Sequence, residues 1–197
     1  METRQLLIDI AARVLAEEGA SALTTRRLAR EADASTMAVY THFGSMADLR
    51  HAIREEGFMR LGSRWSHLQT TSDPVADLTA SGLAYVTFAL TNPHLYRAMF
   101  LETELADTET FSALVKGPQL AIIERCMDAG RFLRADPESI LWQVWSSTHG
   151  VISGMLAGVL SPAQAGELLV ALGPTMYVGF GDERAAAKRS QERAMAR

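Results

Sequence analysis

Four times along this chain a short polar side chain stands directly before a proline: Asp73-Pro74, Asn92-Pro93, Asp136-Pro137 and Ser161-Pro162. Such a side chain can accept from an orphan backbone N–H at a helix start, and proline at the first helical position forfeits a donor that has no intrahelical partner anyway. The pairs therefore predict four helix starts, and Gln164, three residues after Ser161, completes a capping box. No segment alternates apolar and polar residues as a half-buried strand requires, and no Asn-Gly hairpin turn occurs. The expected fold class is all-α. Gly130 is expected to end a helix. Gly117-Pro118 and Gly173-Pro174 interrupt helical stretches and are expected to kink or break them.

The 197 residues can bury a core without covalent staples, and the single Cys126 excludes an intramolecular disulfide. Cys126 follows Ile122 and Ile123 and is expected to be a small core residue. A reducing cytoplasm is the expected location. Met1-Glu2-Thr3-Arg4 leads into an amphipathic segment, so no secretory leader is read there. The best apolar run, Val151 to Leu160, is too short to span a bilayer, and no membrane partner is expected. No phosphate-binding glycine loop, nucleophile elbow, His-Glu-Xaa-Xaa-His or zinc-spaced cysteine pair is present, so no enzyme activity, metal or other cofactor is expected. Glu102, Glu104, Asp107 and Glu109 cluster beside a loop and are expected to be solvated surface.

The segment from Thr24 to Leu49 carries the functional signal. Thr24 can cap a helix on which Leu28 and Ala32 share a face while Arg26, Arg27 and Arg30 spread over the rest. Asp33-Ala34-Ser35 is turn chemistry, and Ser35 can cap a second short helix over about Thr36 to His42. Val39 and Phe43 point that helix at a core, leaving Thr36, Met37, Tyr40 and Thr41 on the other face. Ser45 then caps a longer helix carrying Leu49, Ile53 and Phe58. Two short helices joined this way can set the second into the major groove of DNA, its small N-terminal residues toward base edges. Arg27 is expected to steer by charge rather than read bases.

The first fifty residues resemble the DNA-binding domain of the tetracycline-repressor (TetR) family, through Gly19, Thr24, Leu28-Ala29, Ser35, Tyr40, His42-Phe43 and Leu49. By position, the resemblance implies that Arg26, Thr36, Met37, Ala38 and Thr41 face bases of double-stranded operator DNA. It implies that Thr24, Thr25, Ser35, Tyr40 and His42 meet phosphates. Two positions depart from the family pattern: Asp33 replaces the turn glycine, and Met46 replaces a phosphate-facing lysine, for which Arg50 is a candidate substitute. Net charge is −4, yet residues 1–65 balance nine Arg against nine Asp or Glu. A binder relying on nonspecific attraction to polyanions would be far more basic.

Further along, Asn92-Pro93-x-Leu95-Tyr96-x-x-Met99-Phe100, Asp136-Pro137 and Trp145-x-x-x-His149-Gly150 resemble the WHG type of TetR C-terminal domain. That resemblance implies a homodimer, paired through its last two long helices, that responds to a small hydrophobic ligand. Tyr85, Phe88, Tyr96, Met99, Phe100, Trp142, Trp145, His149 and Met176 are the candidate pocket residues. Ser146, Gly150, Gly154 and Gly158 recur at i, i+4 as a stripe without bulk, a candidate dimer seam. The expected organisation is an N-terminal three-helix helix-turn-helix domain over residues 1–50 with a connecting helix over 46–66. A helical regulatory and dimerisation bundle follows over 67–182, then a loosely docked tail over 183–197. The expected function is a ligand-released repressor of transcription. The alternative is a helical adaptor that uses the helix pair for protein contacts.

Overall fold

The computed structural model describes residues 3–101 and 112–197; Glu102, Glu104, Asp107 and Glu109 lie outside them. Among the described residues every regular element is helical. The helices are α1 (Thr3–Glu18), α2 (Thr25–Glu31), α3 (Thr36–Phe43), α4 (Met46–Ser66), α5 (Pro74–Thr91), α6 (Pro93–Leu101), α7 (Gly117–Asp128), α8 (Pro137–Leu156), α9 (Pro162–Gly179) and α10 (Arg184–Met195). They fall into two compact units, Met1–Gly62 with Phe88–Phe111, and Ser63–Thr87 with Ser112–Arg197.

In the first unit α1 presents Leu7, Ile8, Ala11, Val14 and Leu15 at helical spacing, all buried. Leu28 of α2, which packs on α1, is buried with them, as are Leu49, Ile53, Phe58 and Leu61 of α4, and Arg60 of α4 pairs with Asp9 of α1 at 2.8 Å. α1 also packs along α6. There Tyr96 and Phe100 meet edge to face at 5.1 Å, and Phe58 meets Phe100 at 6.1 Å. A Cβ at Gly57 would collide with the Met99 thioether, so a larger residue there would force the Met99 side chain to move.

The second unit is built around Val75 and Leu78 of α5, Ile123, Cys126 and Met127 of α7, Ile140 and Leu141 of α8, and Tyr177 of α9. Burial pushes the Cys126 thiol up to about 12, which makes it a core group and a poor nucleophile.

Three of the four proline-marked starts cap as expected, through Asp73, Asp136 and Ser161, the last with its full capping box. Asn92 differs. Its amide donates backward to the Phe88 carbonyl at 3.1 Å, satisfying the end of α5 instead of the start of α6. α7 begins at Gly117, after a single wide turn over Ser112–Lys116. The expected break at Gly173-Pro174 does not occur, and α9 runs through it.

The tail is a clear correction. Residues from Arg184 onward form α10, capped by Glu183, with Ala187, Ser190 and Ala194 buried. Two alanines join apolar clusters, Ala187 with Val75 and Leu78 and Ala194 with Ala76 and Ala80, and the rest of the attachment is polar, which an apolar-surface argument could not detect. Ser190 Oγ donates to the Asp73 carboxylate at 2.9 Å, and Arg193 pairs with Asp73 at 3.0 Å. Arg197 pairs with Asp77 at 3.1 Å, while Arg131 joins Asp182 at 2.6 Å and Asp73 at 3.3 Å.

Candidate nucleic-acid interface

The geometry of residues 24–46 follows from three local decisions. Thr24 sits in extended backbone and its side chain accepts from the Arg27 N–H at 3.3 Å, which starts α2. α2 ends at Ala32 because Asp33 takes φ of 50°, left-handed backbone. The Ala34 N–H then returns to the Ala29 carbonyl at 2.8 Å and the Asp33 N–H to the Arg30 carbonyl at 3.4 Å, the paired bonds of a Schellman stop. Ser35 restarts the chain, accepting from the Ala38 N–H at 3.0 Å. A side chain that accepts a capping bond through its oxygen keeps its own proton, so the Thr24 and Ser35 hydroxyls retain a donor for a phosphate oxygen.

Val39 and Phe43 anchor α3 with 3% and 7% of their surface exposed. Arg4 of α1 lies over the Phe43 ring, 5.5 Å from its centroid, a cation–π contact that no sequence motif announced. Held from beneath, α3 exposes Thr36, Thr41 and His42, together with Met37 at 70% and Tyr40 at 52%. Ala38 is partly covered. The Thr41 hydroxyl donates to its own helix at the Met37 carbonyl, 2.9 Å. Arg26 is exposed on α2. Thr25 is partly buried and donates to Met46 Sδ at 3.4 Å. A thioether is a weak acceptor, so that hydroxyl can be redirected at little cost.

Arg27 has a structural occupation. Its guanidinium bonds Glu31 at 2.8 Å and Glu18 at 2.7 Å, and Arg13 also bonds Glu31, so α1 and α2 are clamped together. The Arg27 hydrogen bonds hold the carboxyls of Glu18 and Glu31 below the usual range. Ser45 closes the segment, accepting from the Asp48 N–H at 3.1 Å to start α4.

The pocket candidates divide between the two units. Phe88, Tyr96 and Met99 are buried within the first unit, where Phe100 packs on Tyr96. In the second, Trp142, Trp145, His149 and Tyr85 form a chain of contacts. The Trp rings meet at 5.8 Å, Trp145 stacks on His149 at 4.6 Å, and the Tyr85 hydroxyl lies 3.1 Å from His149 Nδ1. Burial holds the His149 imidazole below its usual pKa, which favours the neutral ring. Met176 stands apart from that chain and lines a groove between α5, α8, α9 and α10.

The small-residue stripe is also revised. Gly158 is not on the helix: with φ of 74° it is the left-handed residue that ends α8, the Val159 N–H returning to the Gly154 carbonyl at 2.9 Å. A Cβ on Gly154 would press on Leu160 of the same chain, 3.2 Å from Cδ1. Two of the four therefore have an internal reason to be small. Ser146 and Gly150 remain exposed on α8.

Comparison with known proteins bears on both halves of the chain. Residues 7–53 match the family model for bacterial regulatory proteins of the tetR family, and residues 78–172 match the tetracyclin repressor-like C-terminal domain. An uncharacterized HTH-type transcriptional regulator of Bacillus subtilis, YobS, is 24% identical over 110 residues. That match takes in 56% of this chain and 58% of YobS. A protein of unknown function from Rhodococcus sp. RHA1 has a solved structure with a TM-score of 0.77 and 26% identity, over 92% of this chain and 97% of that one. The structure of RolR in complex with the ligand resorcinol aligns with a TM-score of 0.65 and 19% identity, over 97% of this chain and 93% of that one.

Proposed function

The chain belongs to the tetracycline-repressor family of transcriptional regulators, and on that premise we propose that it is a homodimeric repressor freed from its operator by a small hydrophobic ligand. The observation that carries the DNA reading is the exposed face of α3, where Thr36, Met37, Tyr40 and Thr41 stand clear of the core that fixes Val39 and Phe43. Short side chains at the helix start let the backbone approach base edges, while Tyr40, His42 and the capping hydroxyls supply phosphate donors. In a dimer the two α3 helices must sit about 34–36 Å apart to enter successive turns of one DNA face.

Support for the dimer comes from α8 and α9, which leave Trp142, Leu168 and Val170 exposed at 39%, 42% and 48%, and from Gly150 of α8, where an added Cβ would meet nothing within 4 Å. Support for a ligand comes from the cluster of Tyr85, Trp145 and His149, an aromatic surface with one neutral polar pair. RolR, which shares the fold, binds resorcinol. A ligand releases DNA only by favouring the conformation whose α3 helices are wrongly spaced.

The test is a gel shift with the DNA upstream of the protein's own coding region, in excess random DNA. Specific retention, lost in Arg26→Ala and Tyr40→Ala, is the expected result. No retention, or retention indifferent to both substitutions, would return the helix pair to an adaptor role.

A further inference from the structure

The helix α3, Thr36–Phe43, carries no Arg, Lys, Asn, Gln, Asp or Glu. The bidentate pairs that identify guanine or adenine in the major groove need a guanidinium, an ammonium or a carboxamide, and acceptance from cytosine needs a carboxylate. α3 can make none of them. Of the base-edge features that remain, the thymine C5 methyl is the one an apolar group recognises, and among the four bases only thymine has it.

The hydroxyls of α3 do not replace the missing groups. Thr41 spends its one proton on the Met37 carbonyl at 2.9 Å. Thr36 is exposed, but a hydroxyl both donates and accepts and so suits any base. Tyr40 and His42 are the phosphate donors of the proposed complex.

Met37 is the apolar group in position. It is the second residue of α3 and is 70% exposed, and the helical period sets it between Tyr40 and Thr41. Packing within the chain does not account for it, because Val39 and Phe43 are what anchor α3. Its apolar surface stays in water until something covers it, and covering it is favourable. An unbranched thioether with three rotatable bonds can follow the contour of a methyl group.

On the reading of α3 as the helix that enters the groove, we propose that Met37 selects thymine by packing on its C5 methyl. Sequence preference at α3 is then set by apolar contact. Among the base-facing residues only Arg26, exposed on α2, can pair bidentately with guanine.

The test uses the full chain and a duplex that it enriches from a random-sequence pool. That duplex is synthesised again with deoxyuridine for thymidine, one position at a time; the two pair alike and differ by the methyl alone. Fluorescence anisotropy should show binding about fourfold weaker at the contacted thymine, the equivalent of one buried methyl-sized group, and little change elsewhere. Met37→Ala alters an exposed position and leaves the core of α3 intact, and it should bind both versions alike. Arg26→Ala should weaken both and keep the fourfold ratio. Indifference to deoxyuridine at every position, or a thymidine preference that survives in Met37→Ala, overturns the Met37 assignment while leaving DNA binding in place. Failure to enrich any duplex overturns the groove reading itself, and the assignment with it.

Discussion

The Gln191 side chain donates from α10 to the Val170 backbone carbonyl at 2.8 Å, and that carbonyl is the acceptor which Pro174, lacking an N–H, leaves bare within α9. One helix thus repairs the hydrogen-bond ladder of another. Gln191→Ala should lower stability by about 0.5–1.5 kcal/mol, the usual net worth of such a bond. In a Pro174→Ala background the new backbone N–H can serve Val170, so the same Gln191→Ala change should be near neutral. Urea denaturation of the four proteins measures the coupling directly. Simple additivity of the two substitutions would show that the amide and the proline are unrelated.

Asp33 holds the turn between α2 and α3 at φ of 50°, where a Cβ crowds the backbone. Asp33→Gly should stabilise the protein by roughly 0.5–1 kcal/mol, about 1–4 °C in Tm for a chain of this size. Asp33→Val should destabilise it, because β-branched residues tolerate that conformation least. A thermal melt reporting the opposite order would mean that the Asp33 side chain holds the turn in some way its backbone geometry does not reveal.

Acid should release α10 before the rest of the chain. Burial raises the Asp73 carboxyl, but hydrogen bonds from the Ala76 N–H, Ser190 and Arg193 and the nearby Arg131 charge outweigh it, and the net shift is downward. Asp77 is likewise raised by burial and lowered further by Thr71, Arg197 and Arg125. Carboxyls whose native pKa lies below the unfolded value of 3.8 contribute stability that is complete above that pH and lost as pH falls through the native value. Hydrogen exchange of α10 amides should therefore accelerate below about pH 4, ahead of the α7 core. Ser190→Ala, which strips one donor from Asp73, should bring the loss to higher pH and cost about 1–3 kcal/mol near neutrality. Exchange in α10 that rises only together with α7 would mean that the ionic network does not set the helix's stability.

How much of this was legible in the sequence depends on the range of the interaction. Caps act within three residues, so Thr24, Ser35, Ser45, Asp136 and Ser161 could be read directly. Asn92 could not, because whether its amide serves the helix before or after it depends on which carbonyls that helix leaves open. The α10 attachment was missed because its partners, Ser190 and Asp73, are 117 positions apart and a hydrophobicity argument gives no weight to either. Gly158 illustrates a limit of periodicity: an i, i+4 repeat continues on paper past the residue where the helix has stopped. On α3 the exposed face was legible, since burial of Val39 and Phe43 leaves only one way for the other residues to point.

Met46 stands where the family pattern has a lysine, and the structure gives it a neighbour, the Thr25 hydroxyl at 3.4 Å. Met46→Lys would place a cation at the start of α4, one helix beyond α3, and release that hydroxyl. If this end of α4 approaches the DNA backbone, the new ammonium displaces a counterion. The slope of log K against log salt should then steepen by roughly 0.9, with tighter binding at low ionic strength and little change in sequence preference. Thr25→Val in the Met46 protein is the matched control: it removes a neutral donor, so affinity should fall without a change in slope. Fluorescence anisotropy with operator DNA across a salt series separates the two effects. A slope unaltered by Met46→Lys would place the start of α4 away from phosphate and leave α2 and α3 to hold the backbone alone.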